Sequence, residues 1–101
     1  MTDYTTKLSI NGWENLYTEL KADGYTGGLK PKSLTIVNNS ATALYVHFTD
    51  DGSASPATAA NGLLVSTAGA GVSFTAESPD LATTWLNTGG ALDVYIAVIG
   101  G

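Results

Sequence analysis

Apolar and polar residues alternate with a period of two from Ser33 onward, which is the pattern of half-buried β-strands. The clearest segment is 92–98, where an apolar side chain occupies every second position. Segment 44–48 alternates in the same way, and it places Tyr45 and His47 on the less apolar face of a strand. The pattern therefore predicts a β domain whose strands each bury one face.

Short runs rich in Gly, Asn, Asp and Ser separate the predicted strands. The strands are predicted at 34–37, 43–48, 63–66, 72–76, 83–86 and 92–98. The first two are close enough along the chain to predict a hairpin, and the residues at 87–90 predict a turn before the last strand. Short antiparallel strands without long helices between them are typical of a β-sandwich or jelly roll.

The period changes to that of a helix near the start of the chain. Trp13, Leu16, Tyr17 and Leu20 are spaced at i, i+3, i+4 and i+7, which places them on one face of a helix. This spacing predicts one short N-terminal helix over about 12–23.

Capping residues and glycines set the limits of this first segment. Asn11 is expected to cap the helix and Gly24 to end it, with a short edge strand at 7–10 before it. We therefore divide the chain into an N-terminal helical docking segment, 1–32, and a β-sandwich domain, 33–101.

Composition and charge narrow the classes of partner. The chain has 101 residues, no cysteine and no arginine, and only 13% of its residues are charged, against about 25% in typical soluble domains. All four lysines lie in 1–32, and 33–101 carries a net charge of −5. Without clustered cations we expect no nucleic-acid binding, and without a run of about 18 apolar residues we expect no membrane span. A protein folded in a reducing cytoplasm is expected.

Candidate catalytic and metal sites are weak. His47 is the only imidazole, and no serine lies in a strand–turn–helix nucleophile elbow, so we expect no enzyme and no cofactor. We place His47 at a surface or a subunit contact. Asp50 and Asp51 resemble the start of a calcium loop, but the same residues also form a turn, and the turn is favoured.

The aromatic residues are the remaining binding candidates. Tyr45 and Tyr95 fall on the less apolar faces of their strands, and Trp85 lies in a threonine-rich segment. Such rings fill cores, line subunit interfaces or stack on sugars, and all three alternatives stay open. The candidate interface or binding residues are Trp13, Tyr17, Tyr45, His47, Trp85 and Tyr95.

Residues 33–101 resemble a type of small β-sandwich found among virion proteins of tailed bacteriophages. The resemblance consists of spacing and residue type along about two-thirds of the chain. The matching segments are Thr35-Ile36-Val37-Asn38-Asn39-Ser40, Leu44-Tyr45-Val46, Ala60-Asn61-Gly62-Leu63-Leu64, Gly71-Val72-Ser73-Phe74 and Gly89-Gly90-Ala91-Leu92-Asp93-Val94-Tyr95-Ile96.

This resemblance implies a capsid decoration (cement) protein, or another small head or tail component, that forms a homotrimer. Its expected partners are the major capsid protein or another virion protein, and its expected location is the virion, after synthesis in the host cytoplasm. Two alternatives stay open: a carbohydrate-binding module or receptor-binding tip that uses the exposed aromatics, and a lectin-like calcium site at Asp50 and Asp51.

Overall fold

The described residues form a mainly β protein with one short helix, as the sequence predicts. The computed structural model describes residues 3–38, 40, 42–49, 63–65, 70–74 and 80–101. The elements in chain order are β1 (Tyr4–Asn15), α1 (Leu16–Asp23), β2 (Ser33–Asn38), β3 (Leu44–Phe48), β4 (Leu63–Val65), β5 (Ala70–Phe74), a 3₁₀ helix (Leu81–Thr83) and β6 (Thr84–Ile99).

All six strands belong to one antiparallel sheet, in which β6 is central. On one side β6 pairs with β1 along nearly its whole length. On its other side it pairs with β3 through its first half and with β2 through its second half. Strand β5 extends the sheet beyond β2, and β4 extends it beyond β3.

Strands β2 and β3 follow one another along β6, so the predicted hairpin between them is wrong. Ser33–Asn38 pairs with residues 99–94 of β6, and Leu44–Phe48 pairs with residues 88–84. At the end of β2, the Asn38 side chain accepts a hydrogen bond from the amide of Ser40 and donates one to the carbonyl of Thr42. These turn residues therefore interrupt a strand without reversing it.

The predicted turn at 87–90 is also wrong, because these residues lie inside β6. The register with β1 shifts there: Ile10 pairs with Leu92, whereas Gly12 pairs with Thr88. Gly12 has a φ of +73°, in the left-handed region that glycine adopts without steric cost. Pairing of β6 with β2 ends at Val94 and its pairing with β3 begins at Thr88, so residues 89–91 lie at the same level of the sheet as this register shift. We call this level the bend line.

The bend line explains how such long strands fit in a small domain. A straight strand as long as the 16-residue β6 would measure about 50 Å, whereas the longest dimension of the molecule is 34 Å. The sheet therefore curls, and its two halves share one hydrophobic core on the inner face.

The core is formed by residues of β1, α1, β2, β3, the 3₁₀ helix and β6, together with Tyr25. In β6 its members are the even-numbered residues, which the alternation at 92–98 predicts. The buried apolar residues are Leu8, Ile10, Leu16, Leu20, Tyr25, Leu34, Ile36, Leu44, Val46, Leu81, Leu86, Leu92, Val94, Ile96 and Val98.

The helix is shorter than predicted and begins later. Asn15, not Asn11, caps it by accepting a hydrogen bond from the amide of Thr18, and Trp13 lies in β1. Gly24, with a φ of +117°, ends the helix as predicted. Strand pairing with β6 extends as far as Asn15, which keeps residues 12–15 out of the helix.

Residues before 33 share the core of the later strands. Leu16 and Leu20 of the helix are fully buried in that core, and Leu8 and Ile10 of β1 join them. The Asn15 side chain also donates a hydrogen bond to the carbonyl of Ala82, which ties the start of the helix to the 3₁₀ helix. Among the described residues, the hydrophobic core shows no division at residue 32.

Candidate functional site

The structure brings four of the six candidate residues onto one half of the outer face, the side of the sheet opposite the core. Trp85 of β6 pairs with His47 of β3, and Asn87 of β6 lies between Trp13 of β1 and Tyr45 of β3. Because alternate residues of a strand share a face, these side chains project to the same side. We call Trp13, Tyr45, His47 and Trp85 the aromatic patch.

Trp13 and His47 contact one another across β6. Their ring centroids are 4.7 Å apart, and the ring planes are inclined by 60°. His47 is only 5% exposed. The prediction that it lies on the face opposite Leu44 and Val46 is confirmed, but the imidazole is buried within this chain, where the Trp13 ring packs against it.

Trp85 is partly buried in the same patch. Its indole Nε1 is buried and has no hydrogen-bond acceptor among the residues that the structure describes. A buried N–H without an acceptor costs about 1–3 kcal/mol.

The aromatic patch is neutral apart from its single imidazole. Asn87, which lies between its rings, adds an uncharged amide to this part of the face. Both tryptophans of the chain lie in the patch, so intrinsic tryptophan fluorescence reports on this half of the outer face.

Tyr95 lies on the other half of the outer face, beyond the bend line. It is 40% exposed, and Ile99 on the same face of β6 is 41% exposed. We call Tyr95, Ala97 and Ile99 the open stripe, because these alternate residues form one row along the central strand. Beside the stripe, Lys7 forms an ion pair with Asp93 at 4.0 Å.

Tyr17 does not belong to either group. It lies on α1, is partly buried and packs against the core, with the Lys21 Nζ 5.4 Å from its ring centroid. This geometry suits a cation–π contact at the protein surface.

Hydrogen bonds at the junction between α1 and β1 shift the pKa values of two side chains, Asp23 and Tyr4. The carboxylate of Asp23 accepts hydrogen bonds from the Thr6 hydroxyl at 2.5 Å and the Tyr4 hydroxyl at 2.6 Å. The hydrogen bond from Thr6, followed by that from Tyr4, lowers the pKa of Asp23. The hydrogen bond to Asp23 raises the pKa of Tyr4 in turn.

The candidate calcium ligands Asp50 and Asp51 lie outside the described residues. Within the described ranges, no three His, Asp or Glu side chains come together as a metal site. No helix in these ranges is long and apolar enough to cross a membrane.

Sequence reasoning missed two residues of this region. Asn87 was placed in a turn, and Asn15 was placed inside the helix, yet both lie on the strands that carry the patch. Asparagine is one of the residues most favoured at the N-cap of a helix, so the sequence also allowed α1 to begin after Asn15. The position of Asn87 was not, because it depends on strand pairing.

Comparisons of the chain with protein-family models, with curated proteins and with solved structures find no match.

Proposed function

We propose that this chain is a structural virion protein of a tailed bacteriophage, a capsid decoration protein that binds the head shell as a homotrimer. The observation that carries the proposal is the open stripe. It presents a tyrosine and an isoleucine, each about 40% exposed, on the central strand of the sheet. Central strands with apolar side chains on an uncovered face are typical of surfaces that associate.

The surroundings of the stripe favour contact with protein. Thr35 of β2 and Thr5 of β1 flank Ala97, and Val37 flanks Tyr95. Small, uncharged side chains are less costly to dehydrate than lysine or glutamate, which are depleted in interface cores. On its other side Tyr95 is flanked by Lys7 of β1, whose charge is paired with that of Asp93 at 4.0 Å.

The proposal assigns no catalytic role to the single histidine. His47 is 5% exposed, so a substrate could reach its imidazole only if neighbouring side chains moved. The proposed location is the virion, and the proposed partners are further copies of this chain and the major capsid protein.

The proposal includes a finer description of the fold as a β-sandwich or jelly roll. The bend line supports it, because each half of the sheet contributes inner-face residues to one core. Ile36 and Ile96 come from one half, and Val46 and Leu86 come from the other. Two halves that enclose a common core have the layered arrangement of a sandwich.

The second candidate function is carbohydrate binding at the aromatic patch. Trp13, Tyr45 and Trp85 lie on one face with Asn87 between them, which combines stacking surfaces with an amide that can bind hydroxyls. Titration with soluble oligosaccharides of bacterial surface polymers should then change the tryptophan fluorescence. An unchanged emission spectrum at millimolar sugar would contradict this alternative.

The assembly proposal is tested by the mass of the full chain in solution. Light scattering should give three times the 10.3 kDa of one chain. The chain should also co-sediment with emptied heads of the phage that encodes it, whereas a monomeric mass without binding to heads would overturn the proposal.

A substitution in the open stripe sharpens this test. Ile99→Lys places a charge in the proposed contact and should shift the mass toward that of a monomer. Thr26→Lys adds the same charge at an exposed loop residue outside the sheet and should leave the oligomer intact. Equal masses for the two variants would show that the stripe is not the contact.

A further inference from the structure

A cleft lies beside the free edge of β1. It is lined by Lys7, Leu8, Ser9, Glu19, Ala22 and Asp23, and its volume is about 230 Å³. We call it the edge cleft. This volume is below the roughly 300–1,000 Å³ of pockets that enclose a small-molecule ligand. The edge cleft therefore suits one or two side chains of a larger partner.

The residues of β1 that line the cleft show that it follows the strand edge. Leu8 points to the core, while Lys7 and Ser9 lie on the outer face, yet all three border the same space. A space that contacts consecutive residues of a strand lies along its backbone. Helix α1 supplies the opposite wall.

The backbone of β1 is available for pairing on this side. Within the described part of the sheet, β1 pairs with β6 alone, although it is twelve residues long. Every second residue of an edge strand directs its N–H and C=O groups away from the sheet. Such an edge is a template for one more strand.

The helix wall of the edge cleft carries negative charge. Glu19 and Asp23 lie there, and the one ion pair formed among the described residues joins Lys7 to Asp93. Neither helix carboxylate therefore has a lysine partner within the described chain. Hydrogen bonds from Thr6 and Tyr4 hold Asp23 in its ionised form.

We propose that the edge cleft binds an extended peptide segment of a partner protein, which adds as a strand to β1 and places a Lys or Arg side chain against Glu19 and Asp23. Main-chain hydrogen bonds to β1 would supply affinity, and the acidic wall would supply specificity. A strand from residues 33–101 of a second copy does not meet this requirement, since that region has no lysine or arginine.

The test uses two blocked synthetic pentapeptides, Thr-Val-Lys-Val-Thr and Thr-Val-Glu-Val-Thr, added to the ¹⁵N-labelled full chain. The lysine peptide should shift the amide resonances of 5–9 and 19–23 and slow amide exchange in β1. The glutamate peptide should bind at least about tenfold more weakly, because like charges meet at the helix wall. Equal affinities, or shifts confined to the open stripe, would overturn the proposal.

Two matched controls separate strand addition from general charge attraction. Glu19→Gln should weaken binding of the lysine peptide several-fold, whereas Glu14→Gln, the same change at a β1 residue outside the cleft, should not. N-methylation of two successive peptide residues should abolish binding, since it removes main-chain donors and obstructs pairing. Retained binding of the methylated peptide would contradict strand addition.

The edge cleft adjoins the open stripe at Lys7, the cross-strand partner of Tyr95, so Glu19 on α1 and Ile99 on β6 are the positions that tell the two proposals apart. Loss of peptide binding in Glu19→Gln should leave the mass measured by light scattering unchanged.

Discussion

The two halves of β6 are equally buried on the inner face of the sheet, but their side chains differ in exposure on the outer face. On the inner side, Leu86 in the first half and Ile96 in the second are both fully buried. On the outer side, Trp85 lies partly buried among the rings of the aromatic patch, whereas Tyr95 is 40% exposed. One strand therefore contributes to one core while presenting two different surfaces.

A sequence pattern that assigns a residue to the outer face of a strand therefore does not define a free surface. Trp85 and Tyr95 occupy equivalent positions in the alternation of β6, but Trp85 lies opposite His47 of β3, whereas Tyr95 lies between Lys7 and Val37. The aromatic patch is therefore expected to contribute to stability, while the open stripe is available for association.

The largest expected change in stability is that of Trp85→Ala, which is to be compared with Tyr95→Ala on the other half of β6. Trp85→Ala should lower the free energy of unfolding by about 2–3 kcal/mol, somewhat less than the cost of deleting a fully buried aromatic ring. Tyr95→Ala should cost less than about 1 kcal/mol, because much of its ring is already in water. Urea unfolding at a fixed protein concentration measures both values.

Association must be controlled in this comparison, because an oligomer stabilises the folded state by mass action. Repeating the unfolding curves at two protein concentrations separates loss of packing from loss of assembly. A Tyr95→Ala variant that is destabilised as much as Trp85→Ala at low concentration would remove the distinction between the two halves.

A smaller effect is expected where the two halves meet. Gly12→Ala should destabilise the chain by about 1–2 kcal/mol, since an alanine in the left-handed region carries that strain. A Cβ at Gly12 would meet no atom within 4 Å, so the effect is conformational and not a clash.

Gly28→Ala provides the control for this substitution. It also adds a Cβ into open space, but its φ does not lie in the left-handed region, so its stability should be nearly unchanged. Equal stabilities of the two variants in urea would show that the bend line does not depend on Gly12.

The smallest expected effect is the pH dependence at the junction of α1 and β1. Hydrogen bonds from Thr6 and Tyr4 lower the pKa of Asp23 below its usual 3.8 in the folded chain. The resulting stabilisation is fully present above the unfolded pKa and is lost as the pH falls through the lower, folded pKa.

The measurement is the urea midpoint between pH 6 and pH 2. Between these limits the wild-type chain should lose more stability than Asp23→Asn, which cannot ionise at this position. The difference should be small because the carboxylate is exposed and surrounded by solvent. Parallel pH profiles for the two chains would contradict a role for the ionised carboxylate.

The alternation of apolar and polar residues correctly predicted which face of a strand each side chain occupies. The turn-forming residues led to incorrect predictions of how the strands are connected. Alternation placed Val94, Ile96 and Val98 in the core and Tyr45 opposite Leu44, because neighbouring side chains of a strand must point to opposite sides. The glycines at 89–90 were assigned to a reversing turn, and the structure uses them for a register shift inside one strand. Turn-forming residues permit either outcome, and only the pairing partner selects between them.

For the candidate site, the sequence likewise identified the residues but not the contacts between them. The residues of the aromatic patch were all identified as binding candidates, but Trp13 was assigned to the helix and His47 to a surface or subunit contact. Their contact at 4.7 Å joins residues 34 positions apart through the central strand β6. Strand or helix periodicity relates only residues that are close in sequence, so it cannot predict this contact. The edge cleft was likewise not predicted, because it depends on the packing of α1 beside β1.

The order of residues alone specifies a mainly β protein whose strands bury alternate residues and whose charged residues are few. Those properties follow from side-chain chemistry and from a backbone period of two. Contacts between distant segments, in contrast, align two pairs of short strands along β6, curl the sheet at the bend line and bring Trp13 against His47. These outcomes depend on hydrogen bonds between distant segments, whose partners are selected only when the whole sheet and its core form together.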